Sequence, residues 1–190
     1  GRYCGRAEHG RGRAQHRWWS EIMCRRPDVP VVDVPFGLPE DPPPTGVDPI
    51  DGVPRGWGGV LWWGGVWPWL DLDPLLAARA RLGAAPLSVV VPTAARPGGG
   101  PSRYTPDDLA DDAAAHDLQP PQVVPLQRWV PYAERHRVLN RADLVAVLHH
   151  PGREAELSFR TRAMDAVWAG VPLLLSEGGE VARLTHEHAW

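Results

Sequence analysis

From residue 57 onward the chain alternates between short, almost wholly apolar runs and longer amphipathic stretches. The apolar runs are Val60-Leu61-Trp62-Trp63, Leu87-Ser88-Val89-Val90-Val91, Gln122-Val123-Val124-Pro125-Leu126, Leu144-Val145-Ala146-Val147-Leu148 and Leu173-Leu174-Leu175. Each is short, bounded by turn residues and mostly rich in Val and Leu, so each predicts a strand buried on both faces. The stretches between them carry helix start and stop signals. Asp73-Pro74 reads as a cap followed by Pro at the first helical position; Leu75, Ala78, Arg79 and Leu82 follow at helical spacing and Gly83 ends the run. Thr105-Pro106-Asp107-Asp108 opens a second helix with a cap, a Pro and two acids where the helix dipole favours them. Further helices are predicted from about Tyr132 to Asn140, from about Thr161 to Ala169 with Gly170 as the stop, and from Gly178-Gly179-Glu180 onward. Apolar strands alternating with helices give a parallel sheet covered on both faces, so the fold class is α/β, a doubly wound, Rossmann-like domain.

The earlier residues break this pattern. Residues 1–30 interleave Arg with Gly and His without apolar periodicity and read as a poorly ordered tail. Val31-Val32-Asp33-Val34 is a short β-branched run, and residues 39–56 are dominated by Pro, Gly and Asp, as an exposed linker is. The expected organisation is a tail over 1–30, a strand and Pro-rich linker over 31–56, and an α/β domain over 57–190 that is truncated at its C-terminal end.

Composition narrows the function classes. A chain of 190 residues with 43% hydrophobic residues suffices for one domain with a real core. A net charge of −3 argues against a dedicated nucleic-acid binder. No apolar run approaches the roughly 18 residues of a membrane span, and Gly1-Arg2-Tyr3-Cys4 does not open a signal peptide. A cytoplasmic location is expected, or a peripheral one at the inner membrane face. Cys4 and Cys24 are too few for a disulfide framework or a zinc site. All 20 basic residues are Arg, which, beside 22 Pro and 20 Gly, tracks a high-GC coding bias more than a function.

Ligands of doubly wound sheets bind outside the carboxyl ends of the strands. The loops to inspect are therefore 64–72, 92–104, 127–131, 149–160 and 176–180. Gly64-Gly65 follows a strand directly, where glycines let backbone N–H groups approach an anion; the plain alternative is a tight turn. No G-x-G-x-x-G is present, and with no Lys there is no P-loop, which disfavours dehydrogenase and ATPase readings. The densest polar cluster runs from Glu154 to Asp165. On one continuous helix Glu154, Ser158, Thr161 and Asp165 would share a face. Arg160 and Arg162 would offer permanent cations to a diphosphate, and Asp165 a two-oxygen acceptor for sugar hydroxyls. The plain alternative is a solvated helix with ordinary ion pairs. His149-His150 closes the fourth strand on the ligand side and can contact a phosphate or exchange a proton near neutral pH. His186 and His188, two apart on a helix, do not form a metal pair. Trp62, Trp63, Trp67 and Trp69 divide between core and cleft wall.

Several segments, in order, resemble the C-terminal, donor-binding half of GT-B glycosyltransferases of the broad family 4 or group 1 kind. They are Val34-Pro35-Phe36-Gly37-Leu38-Pro39, Leu61 to Asp71 with its Gly64-Gly65, Trp129-Val130-Pro131-Tyr132, Ala142-Asp143-Leu144, and Ser158-Phe159-Arg160-Thr161-Arg162 through Asp165 to Ala169-Gly170-Val171-Pro172. The likeness spans about residues 31–184. It implies transfer of a sugar from a nucleoside-diphosphate sugar to an acceptor alcohol, a glycan or lipid-linked glycan in cell-envelope polysaccharide synthesis. It also implies that Gly64 and Gly65 loop over the donor diphosphate and that Arg160 or Arg162 pairs with the phosphates. Asp165 stands where the family usually has a Glu on the nucleotide ribose, Glu154 approximates the acid facing the sugar, and Trp129 to Tyr132 pass near the base. No cofactor beyond the donor is implied. The family's acceptor-binding domain would precede Val31, so the chain is expected to be half of such an enzyme. The rival expectation is a non-catalytic nucleotide-binding or interaction module derived from one.

Overall fold

The computed structural model describes residues 37–45, 58–99 and 102–188. The expected tail over 1–30, the run Val31–Val34, most of the linker, Cys4 and Cys24 lie outside the described residues. Five strands form one parallel sheet: β1 Gly59–Trp62, β2 Ser88–Pro92, β3 Val123–Leu126, β4 Leu144–Val147 and β5 Leu173–Leu175. Their order is β3-β2-β1-β4-β5, with Leu61 of β1 in register with Val90 on one side and Val145 on the other. The chain thus winds outward from β1 to β3, returns to the other side of β1, and winds outward again. This is the doubly wound, Rossmann-like arrangement, and its switch point lies between β1 and β4.

The strand period of two explains both cores. Val60 and Trp62 point to one face, where they pack with Leu75 and Leu76 of helix α1 (Asp73–Arg81) and Leu109 of α2 (Pro106–Ala114). Leu61 and Trp63 point to the other, against Val138 and Leu139 of the short helix α3 (His136–Leu139) and Ala166 of α5 (Thr161–Ala169). A strand buried on both faces has no polar side, which is why β1 reads as a continuous apolar run.

The helix signals hold with three physical corrections. Thr105 caps α2 through a reciprocal box with Asp108. Asp73 is not a cap: it lies inside the first turn of α1, after Leu72, and its carboxylate meets His116 Nε2 at 2.7 Å. Arg79, in the helix as its spacing predicts, is a buried clamp. It donates to the carbonyls of Leu87, Gly83 and Ala85 at 2.6, 3.0 and 3.0 Å and fixes the turn from α1 into β2. The expected helix over Tyr132–Asn140 is a 3₁₀ turn, Tyr132–Glu134, followed by the single turn of α3. The stretch from Glu154 to Asp165 is not one helix either. Helix α4 (Arg153–Leu157) ends in extended backbone at Ser158, and Arg160, in the left-handed region at φ 51°, precedes α5. Glu154 and Ser158 therefore do not share a helical face with Thr161 and Asp165. Gly170 stops α5 at φ 66°, and α6 runs Gly179–His188. Residues 39–45 of the expected linker are mostly exposed yet tethered, since Trp168 Nε1 donates to the Asp41 carbonyl and Asn140 Nδ2 to that of Pro44.

Candidate functional site

The loop leaving β1 is stitched to the loop leaving β4. Asp71 N donates to the Leu148 carbonyl at 3.0 Å, His150 N to that of Trp69 at 3.1 Å, and Leu70 bridges His149. This holds residues 63–70 over the switch point, where the strand ends diverge and leave a crevice. Gly64 sits at φ 112°, a backbone conformation that disfavours any side chain. A Cβ at Gly64 would meet Arg162, and one at Gly65 would come within 3.0 Å of Trp67 Nε1.

Two adjoining cavities open here. The larger, about 590 Å³, lies over the ends of β1, β2 and β3. Its aromatic walls are Trp63, Trp67, Tyr104 and Trp129, and Arg96, Arg103, Arg128 and Arg162 also line it. The smaller, about 360 Å³, lies over β1 and β4 and is bounded by His149, Glu154, Ser158, Thr161 and Trp69. Trp63, Gly64, Gly65, Trp67 and Arg162 border both. Trp67 and Trp69 stack in parallel, 5.4 Å apart, and remain 42% and 44% exposed at the rim.

The site residues expected from sequence fall into three groups. Gly64, Gly65 and Arg162 form the shared wall, with the Arg162 guanidinium 5.6 Å from the Trp63 ring. Trp129 lines the larger cavity; His149, Glu154, Ser158 and Arg160 line the smaller. Asp165 lines neither. It is 6% exposed, and its two oxygens accept from Arg135 Nε and Trp63 Nε1, both at 2.9 Å. Arg135 is itself buried, donates to the Tyr132 carbonyl, and is sandwiched between the rings of Tyr132 and Trp168 at 3.8 and 3.9 Å. In this geometry Asp165 braces the Trp63 wall rather than facing a ligand.

Arg160 and Arg162 have parted roles. Arg160 is 4% exposed, and its guanidinium donates to the carbonyls of Ser176, Glu177 and Ala155. It ties the β5 exit to α4, so its terminal donors serve the fold, while Arg162 faces both cavities. His149 is 6% exposed, and its Nε2 lies 3.4 Å from Glu154 Oε2. Burial, then the Arg160 charge, hold its imidazole down to about 4, so it is neutral at pH 7. Among the described residues its Nδ1 has no hydrogen-bond partner. Burial also raises the Glu154 carboxyl. The smaller cavity therefore offers a neutral imidazole, a carboxyl and a hydroxyl, a set that matches ligand hydroxyl groups.

Among the described residues no Asp or Glu lines the larger cavity. Behind its walls, Asp165 is paired with Arg135 and its other oxygen lies 4.0 Å from Arg162 Nη1, while Asp112 accepts the Tyr104 hydroxyl at 2.5 Å. Burial and that Asp112 bond push the Tyr104 phenol well up, so it stays a donor.

Sequence reasoning missed Arg96, Arg103, Arg128, Tyr104 and Arg135. The first two lie in the 92–104 loop, which the carboxyl-end rule already marked. Arg135 carries no local signal, since its partner lies 30 residues away. Among the described residues no three His, Cys, Asp or Glu side chains converge as a metal site, and no helix is long and apolar enough to cross a membrane. No protein-family model matches this chain, and no curated protein matches it.

Proposed function

We propose that this domain binds a nucleoside-diphosphate sugar and acts as the donor half of a glycosyltransferase. The observation that carries the reading is the shared wall of Gly64, Gly65 and Arg162, set between an aromatic, arginine-lined cavity and a smaller one lined by hydroxyl-matching groups. A donor has the same three parts in the same order. Its base suits the tryptophan walls, its diphosphate the glycine N–H groups and Arg162, and its sugar the cavity with His149, Glu154 and Ser158. Transfer breaks the bond between the anomeric carbon and the diphosphate oxygen and forms one to the acceptor oxygen, which loses its proton. Charge then builds on the leaving diphosphate, where Arg162 and the backbone N–H groups would stabilise it.

Thermal melting of the full chain with UDP, GDP, ADP and their hexose conjugates tests the reading. At a hundredfold excess over Kd a bound ligand adds about 2.7 kcal/mol. For a chain of this size that raises Tm by roughly 5–10 °C. No shift with any of them at millimolar concentration overturns the reading.

A further inference from the structure

We propose that residues 37–45 form a strap whose docking on Trp168 sets how freely Arg162 meets an anionic ligand. This rests on the proposed reading only in taking the Arg162 wall as the place where the ligand's anionic group binds.

The strap reaches the wall through one unbroken series of contacts. Trp168 Nε1 donates to the Asp41 carbonyl at 2.8 Å, and Asn140 Nδ2 donates to the Pro44 carbonyl at 3.0 Å. The Trp168 ring lies over the Arg135 guanidinium at 3.9 Å, opposite the Tyr132 ring at 3.8 Å. Arg135 Nε donates to Asp165 Oδ1 at 2.9 Å. The other Asp165 oxygen accepts from Trp63 Nε1 at 2.9 Å and lies 4.0 Å from Arg162 Nη1. Trp63 and Arg162 border both cavities.

Asp165 is the junction at which this series has two settings. It is buried, and a buried carboxylate demands a cation. Two arginines are within reach: Arg135, which holds Oδ1, and Arg162, three residues earlier on α5. With the strap docked, Trp168 stays flat on the guanidinium and Arg135 compensates Asp165. Arg162 then stands off at 4.0 Å, half-exposed and available to a ligand. With the strap away, Trp168 loses its pin, and Arg135 loses one of the two rings that hold it. Asp165 then draws Arg162 in from 4.0 Å toward the 2.9 Å that Arg135 otherwise keeps, and the cation leaves the wall. An anionic ligand and Asp165 thus compete for one guanidinium, and the strap decides which of them gains it. The strap is suited to move. Its residues are exposed apart from the half-buried Pro43, and exposed segments open locally at small cost. By linkage, a ligand that favours the free Arg162 also favours the docked strap.

Titration calorimetry and side-chain N–H resonances of the full chain test this, with pyrophosphate, UDP and GDP as probes. The triple variant Pro42→Gly/Pro43→Gly/Pro44→Gly loosens the strap without touching any side chain of the series. Its Trp168 indole N–H should exchange faster with solvent, and its affinity for whichever probes bind should fall roughly two- to thirtyfold. Trp168→Phe, which keeps a ring for Arg135 but no donor for the Asp41 carbonyl, should weaken binding in the same range. In an Arg162→Gln background the loosened strap should cost less than about twofold more. Saturating probe should slow Trp168 indole exchange in the wild type. The proposal is overturned if the triple variant leaves Trp168 exchange unchanged, or if exchange accelerates while affinity stays at the wild-type value. It is overturned equally if the loosened strap costs as much with Arg162→Gln as without it. If no probe binds, the donor reading falls and the ligand-free protein decides the strap. An Arg162 Nε–H resonance that shifts in the triple variant upholds the coupling of strap to wall, and one that stays in place overturns it.

Discussion

Replacing Asp165 by Asn changes one oxygen to an amide nitrogen in a pocket where both oxygens are acceptors. Arg135 Nε and Trp63 Nε1 each donate to one of them at 2.9 Å, and the Arg135 and Asp165 side chains are only 6% and 8% exposed. An amide keeps one acceptor and turns a donor toward the other N–H, so either the indole or the guanidinium loses its partner. Removing one member of a buried ion pair costs about 3–5 kcal/mol. Arg135 keeps the Tyr132 carbonyl and its two aromatic faces, which places the expected loss near the lower end, about 3 kcal/mol. At roughly 2–4 °C per kcal/mol for a chain of this size, Tm should fall by about 6–12 °C. Nucleotide affinity should fall mainly through displacement of the Trp63 ring, visible as a shifted Trp63 indole N–H resonance. The double variant Asp165→Leu/Arg135→Met should recover part of the lost stability, because no charge is then left buried alone. An Asp165→Asn protein that melts with the wild type but has lost nucleotide binding would refute the reasoning, since Asp165 would then touch the ligand itself.

Other expectations follow from the same geometry. His149 takes up its proton near 4 in the fold against 6.5 ordinarily. Between those values the unfolded chain binds a proton that the folded one refuses, so stability should fall as pH drops through this window. The fall is at most about 3 kcal/mol, and His149→Gln should flatten it in urea melts at pH 7 and 4.5. Arg160→Lys retains a charge but not the planar fork that reaches three carbonyls, and a loss of roughly 2–4 kcal/mol is expected from chemical denaturation. Thr105→Ala removes the α2 capping box and should lower stability by about 1 kcal/mol with ligand binding untouched.

The sheet was legible because each strand is short, apolar and punctuated. β5 and helix α5, with its Gly170 stop, fall where the pattern predicts them. The Thr105 cap was legible because a cap is local, and the structure completes it as a reciprocal box with Asp108, three positions on. The break between α4 and α5 was not. Residues 154–165 contain no Gly or Pro to mark a stop, and what fixes the break is tertiary. Arg160 adopts a left-handed backbone to reach carbonyls of Ala155, Ser176 and Glu177, two of which lie in a segment more than fifteen residues away. For the same reason the roles of Arg160 and Arg162 could not be told apart from two equivalent charges in a row. The Asp165–Arg135 pair joins helix α5 to a short turn before α3, and no spacing rule connects them. The carboxyl-end rule, by contrast, marked every loop that lines the two cavities.

The proposed function requires the diphosphate to lie against Gly64, Gly65 and Arg162. Calorimetric titration of the full chain and its Arg162→Ala variant, with UDP and GDP and with uridine and guanosine as controls, tests this most directly. A charged hydrogen bond of about 1.5–3 kcal/mol corresponds to roughly a ten- to hundredfold loss of affinity. We predict that the wild type prefers the diphosphate to the bare nucleoside and that Arg162→Ala loses that preference while melting within about 2 °C of the wild type, as expected for a half-exposed side chain. Equal diphosphate affinity in wild type and variant would contradict the assignment of this wall to the donor.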